Sequence, residues 1–120
     1  MKFDVITIFP DIFKGFLSES IIKKAKEKGL IEINIHDLRK FTRDRHKTVD
    51  DKPFGGGRGM VLKVEPIYSA VSSIKVRKKQ KRKIILLSPR GKKFDQKLAH
   101  RFSKLSHLVL ICGRYEGVDE

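Results

Sequence analysis

The chain has 120 residues, enough for one compact domain and too few for two independent cores. Lys and Arg number 28 against 14 Asp and Glu, and a formal charge of +14 makes a polyanion the expected neighbour, nucleic acid ahead of an anionic membrane. No apolar run approaches the roughly 20 residues of a membrane-crossing helix, no leader peptide is expected from the opening residues, and a single cysteine, Cys112, excludes an internal disulfide and suits a reducing cytoplasm.

Phe3 to Phe9 is rich in β-branched and aromatic residues and predicts a first strand, halted by Pro10, which has no N–H to donate. From Asp11 to Lys28, Ile12, Phe13, Phe16, Leu17, Ile21, Ile22 and Ala25 recur at helical spacing, with a break expected around Gly15 and Ser18 and a stop at Gly29. Ile31, Ile33 and Ile35 alternate with Glu32, Asn34 and His36, which predicts a strand with one buried and one polar face.

The 22 residues from Arg39 to Met60 follow neither period, and a loop of that length in a small domain is expected to be functional. After it, Glu65 and Pro66 open a helix with Ile67, Ala70, Val71 and Ile74 on one stripe. Lys75 to Lys83 carries seven basic residues in nine and reads as a solvated connection with non-specific attraction for RNA.

Ile84 to Leu87 is an unbroken apolar run, which predicts a central strand covered on both faces. Asp95 is placed to cap the next helix, whose Leu98, Phe102 and Leu105 share a face, and Leu108 to Cys112 predicts a second fully apolar strand. Strands alternating with helices give an α/β fold with a mainly parallel sheet flanked by helices.

In such folds ligands gather beyond the carboxyl ends of the strands. Leu86, Leu87, Ser88, Pro89, Arg90 and Gly91 lie at one such end, and Cys112 to Asp119, with Gly113, Arg114, Tyr115, Glu116 and Gly117, at another. Each loop alone is weak, because a glycine after a strand is more often only a turn. The long loop holds four glycines between Gly55 and Gly59, the pattern of either a disordered segment or a hinged cover that orders on a ligand. It is not a P-loop, because no Gly-Lys-Ser/Thr follows. Arg43, Arg45, His46 and Lys47 adjoin Asp50 and Asp51, so cations able to grip phosphates stand beside carboxylates able to accept from a base edge. On composition alone a solvated charged loop is an equal reading.

Asp50 to Met60 (DDKPFGGGRGM), Leu86 to Gly91 (LLSPRG) and Cys112 to Asp119 (CGRYEGVD), in this order, resemble the bacterial tRNA (guanine-N1)-methyltransferases, and Met1 to Phe13 resembles their start. The resemblance spans essentially the whole chain and implies the N-terminal portion of a SPOUT-type trefoil-knot methyltransferase domain. The closing thread of the knot and the C-terminal RNA-binding domain are expected beyond Glu120. It implies a homodimer with its active site at the subunit interface, S-adenosylmethionine as cofactor, and N1 of the guanine 3′ of the anticodon, position 37, as target.

By that resemblance, Leu86, Leu87, Ser88, Pro89, Arg90, Gly91, Cys112, Gly113, Tyr115, Glu116 and Gly117 line the cofactor pocket. Arg43, Arg45, His46, Asp50, Gly57 and Gly59 face the tRNA. At position 90 the family more often has Gln. Asp50 is a supporting catalytic residue, the family's general base being an aspartate past Glu120, so the 120 residues alone are expected to be inactive and to bind cofactor weakly. No metal ligands stand out, and a magnesium requirement is not readable from these residues. The alternative is a non-catalytic RNA-binding module, for which +14 suffices; a pure backbone binder has no need of LLSPRG and CGRYEGVD.

Overall fold

The structure is a computed structural model that describes residues 1–42, 50–51, 61–76, 81–87 and 91–113, with only the backbone of 20, 50–51 and 61–62. Four strands, β1 (Lys2–Thr7), β2 (Glu32–Asp37), β5 (Arg82–Leu87) and β6 (His107–Cys112), form one sheet in the order β2-β1-β6-β5, with every pairing parallel. A two-residue ribbon joins β3 (Asp50–Asp51) to β4 (Val61–Leu62). The helices are α1 (Phe13–Leu17), α2 (Ser20–Glu27), α3 (Val64–Ser73) and α4 (Gln96–Ser103). The mainly parallel α/β architecture expected from the alternation of elements is the one observed.

The local signals act where the chemistry puts them. Pro10 ends β1 and begins a 3-10 turn, Pro10–Ile12. The expected break splits the first helical stretch after Leu17. Gly29 takes φ 71°, a left-handed conformation that costs glycine little. It lets Gly29 N–H donate to Lys26 O (3.0 Å) and Leu30 N–H to Ala25 O (3.0 Å), satisfying carbonyls that α2 leaves without partners. Asp95 Oδ1 accepts from Leu98 N–H at 2.8 Å, so the predicted cap of α4 forms.

The core lies on one face of the sheet. Register puts Ile6 of β1 opposite Ile111 of β6, and these with Ile8 and Val109 meet Ile67, Ala70 and Ile74 from α3 and its end, together with Leu38. The apolar stripe predicted for α3 is the stripe that packs. On the other face, Phe3, Ile85, Leu87, Leu108 and Leu110, together with Phe94 and Phe102, line an open apolar groove of about 630 Å³.

Three expectations change. β5 is not a central strand: among the described residues it is the sheet's edge, and Ile84, Leu86 and Leu87 are exposed. α3 joins the core cluster with residues of β1 and β6. Nor does β2 have the one buried face expected, because Ile31, Ile33 and Ile35 are only half-buried, no more than Asn34 and His36 on the polar side, and His36 bonds across the sheet. The basic run does not remain a connection throughout, since its last two residues, Arg82 and Lys83, begin β5.

Candidate functional site

Leu87 pairs with Cys112, the last residues of β5 and β6, so the two strands end side by side. At the usual strand spacing of about 4.8 Å, the chain leaves the sheet at two neighbouring positions here. Gly91 and Gly113, the described glycines beyond these strand ends, are both exposed. Leu86 and Leu87 present apolar side chains at the same end, at 39% and 47% exposure. Cys112 is half-buried, and burial pushes its thiol up, so it behaves as a small hydrophobe and not as a nucleophile.

The long loop leaves from the same end of the sheet. Asp37, the last residue of β2, accepts from Arg39 N–H at 3.0 Å through Oδ1. The Arg39 guanidinium in turn donates to Ile8 O, just past β1, and Thr42 Oγ donates to Arg39 O at 2.9 Å. Two neighbouring strand ends are thereby tied where the loop departs. At its far side the loop is closed by the ribbon, Asp50 opposite Leu62 and Asp51 opposite Val61, a pairing that the aperiodic sequence did not announce. Asp50 is thus placed at the neck of the glycine-rich segment. Ser88, Pro89, Arg90, Tyr115, Glu116, Gly117, Arg43, Arg45, His46, Gly57 and Gly59 lie outside the described residues.

A second polar cluster, which the sequence reading passed over, sits toward the opposite end. Asp4 is buried in the middle of β1, and its carboxylate lies 2.7 Å from His36 Nε2 and 2.6 Å from His107 Nε2, with Lys2 Nζ at 3.8 Å. Burial pushes the Asp4 carboxyl up, but the hydrogen bonds to His36 and His107 and the nearby Lys2 charge outweigh it and hold the group below its ordinary value. An ionised carboxylate can only accept, so both Nε2 atoms carry the hydrogen. His107 is fully buried, and its Nδ1 has no hydrogen-bond partner. The available signal was an acid inside an apolar strand, which burial alone would make costly without donors.

A family profile described as tRNA (Guanine-1)-methyltransferase TrmD matches residues 1–120. The chain belongs to this family. It is 58% identical over 120 residues to the tRNA (guanine-N(1)-)-methyltransferase of Dictyoglomus turgidum, covering all of this chain and 48% of the relative. It is 54% identical over 123 residues to the enzyme of that name from Koribacter versatilis, covering all of this chain and 47% of the relative. The crystal structure of tRNA (m1G37) methyltransferase from Aquifex aeolicus superposes with a TM-score of 0.84 at 44% identity, covering all of this chain and 54% of that one. The chain therefore spans about half the length of the curated relatives it matches. Membership bears out the resemblance drawn from the three loop motifs, and the methyltransferase fold agrees with the parallel sheet. No helix among the described residues is long and apolar enough to cross a membrane.

Proposed function

We propose that this chain is the N-terminal portion of a cytoplasmic, homodimeric enzyme that transfers a methyl group from S-adenosylmethionine to N1 of guanine 37 in tRNA. The observation that carries the reading is the side-by-side ending of β5 and β6 at Leu87 and Cys112, with the exposed Gly91 and Gly113 beyond them. Backbone N–H and C=O groups beyond the two strand ends are assigned to a nucleoside, while Leu87, on the groove face, offers apolar surface to its base. That donor set fits an adenosine-containing cofactor.

Leu86 to Gly91 and Cys112 to Gly117 are assigned to hold it. When bound, it supplies a methyl group on a sulfonium centre. The protein's share is geometric and electrostatic. The guanine N1 carries a proton and is a poor nucleophile, so a carboxylate must take that proton while N1 is held in line with the methyl carbon. Asp50, at the loop neck, is given a supporting part, and the principal acceptor is assigned to an aspartate beyond Glu120. Arg43, Arg45, His46, Gly57 and Gly59 are assigned to the tRNA, from the partner subunit, and the trefoil knot is assigned to residues after Gly113.

The test is methylation of two transcripts, one with G37 and one with A37, by the full-length protein, with S-adenosylmethionine protection in a melting assay as a second reading. G37-dependent transfer and a raised Tm are expected. Transfer independent of G37 removes the proposed target, and no transfer with no thermal shift at saturating cofactor removes the proposal and leaves the non-catalytic RNA module that +14 allows.

A further inference from the structure

Among the described residues, basic charge without matching carboxylates gathers at one end of the sheet axis. The carboxylates Asp11, Asp37, Glu65 and Asp95 stand where β1 and β2 end and where α3 and α4 begin, at the carboxyl pole that bears the site, beside the exposed Lys14, Lys40, Lys92 and Lys93, so both signs of charge are mixed there. At the amino pole, Lys28 closes α2, Lys75 follows α3, Arg101 and Lys104 close α4, and Lys81 and Arg82 begin β5. All six are exposed, against two exposed carboxylates there, Glu27 and Glu32. No ion pair with a described carboxylate involves any of the six.

Helix dipoles explain part of this arrangement, because acids suit helix N-termini and bases suit C-termini. One cation at the end of each of α2, α3 and α4 satisfies that need, and the pole carries more. Lys81 and Arg82 end no helix. Their backbone is nevertheless fixed: Lys81 N–H donates to Ser106 Oγ at 2.9 Å, while Lys81 O accepts from Ser106 N–H at 3.1 Å and His107 N–H at 3.2 Å. Lys81 and Arg82 are thereby stapled to the turn that carries Lys104. Unpaired like charges held together repel, and a surplus of this kind is offset by a polyanion.

We propose that the amino pole is a second RNA-contact surface, gripping the phosphodiester backbone of the tRNA away from the reacting nucleotide. The idea rests on the functional reading above and adds a location to it. Four strands about 4.8 Å apart make the pole roughly 15 Å wide, and strands of six residues set it roughly 20 Å from the methyl-transfer end. That width spans several phosphates, and the distance leaves the reaction site free. Such contacts are sequence-blind and are read in the salt dependence of binding.

The experiment compares two double charge reversals in the full-length protein: Lys81→Glu with Lys104→Glu at this pole, and Lys14→Glu with Lys23→Glu on α1 and α2. Binding of a G37 tRNA is measured by fluorescence anisotropy from low to high salt. The amino-pole pair is expected to weaken binding at least about tenfold at low salt and to flatten the log K against log salt slope by roughly 2, one per lysine. The α1 and α2 pair is expected to keep the wild-type slope. Lys81→Arg with Lys104→Arg keeps the charge and is expected to restore it, which separates a charge effect from misfolding. Equal slopes for the two reversals overturn the proposal, as does amino-pole binding to vesicles rich in phosphatidylserine without a change in tRNA binding. Methylation of G37 is scored separately. A slope difference between the two reversals with a wild type that methylates nothing keeps this surface and defeats the functional reading, whereas wild-type methylation with equal slopes does the reverse.

Discussion

β5 and β6 pair along six residues and carry nearly the same kind of side chain, but they live in different surroundings. In β6, Val109 and Ile111 are buried between β1 and β5, beneath Ile67, Ala70 and Ile74 from α3 and its end, and Leu108 is buried on the other face. In β5, Ile84 and Leu86 sit opposite Val109 and Ile111 in register yet are exposed at 44% and 39%. An apolar run therefore states that a strand is to be covered, and the position of the strand in the sheet decides how far the described elements cover it. The distinction matters for the site, since the shielded strand provides a rigid end for one turn and the edge strand leaves apolar surface beside the other.

The largest expected effect is at the amino end of β6, where Asp4 holds His107 while Arg82, its neighbour in β5, stays in solvent. Asp4→Ala removes the partner of a fully buried imidazole and of His36, and is expected to destabilise by about 3–5 kcal/mol at neutral pH in urea unfolding. The pH dependence has a definite sign. The folded state holds the Asp4 carboxyl below its ordinary value of 3.8, so the stabilisation is complete above that value and is lost as pH falls through the lower, folded one. The two proteins should therefore converge in acid. A constant gap down to strongly acid pH would show that the charge is not what stabilises β6.

The second test goes directly to the paired positions. Ile111→Ala empties a packed site and is expected to cost about 2–5 kcal/mol. Leu86→Ala, directly opposite, removes a side chain that still meets water and is expected to cost less than about 1 kcal/mol. Equal losses in parallel denaturation series would mean that β5 is covered in solution as fully as β6.

Much of this was legible from local chemistry. Pro10, Gly29, Asp95 and the stripe of α3 act through sterics or hydrogen bonds spanning a few residues, and each appears where the sequence puts it. The three loop motifs were legible as a set, because family membership requires their order and not any one of them. The edge position of β5, the β3–β4 ribbon and the Asp4, His36 and His107 cluster were not. Each joins residues far apart in the chain, up to 103 positions for Asp4 and His107, and neither helical nor strand periodicity carries that information.

The link between β5 and β6 gives a smaller test. Asp95 caps α4 with Leu98 N–H, and Asp95→Ala leaves that donor without its side-chain acceptor, at a cost of about 1 kcal/mol in thermal unfolding. Asp95→Asn keeps an acceptor oxygen and is expected to recover most of it, so an equally large loss in both variants would point away from capping.

The smallest effect belongs to the one described contact that gives β5 a charged lid. Lys83 Nζ lies 5.3 Å from the ring centre of Phe102 in α4, and Phe102 also meets Phe94, with ring centres 6.2 Å apart. Lys83 is exposed, so its attraction to the ring is worth only about 0.5–1 kcal/mol. A double-mutant cycle of Lys83→Gln with Phe102→Leu isolates it from the loss of ring packing, and the coupling is expected to shrink when salt is added. β6 has no comparable dependence on solvent ions at its buried positions. A coupling that vanishes even at low salt would leave β5 held to α4 by the chain connection and apolar contact alone.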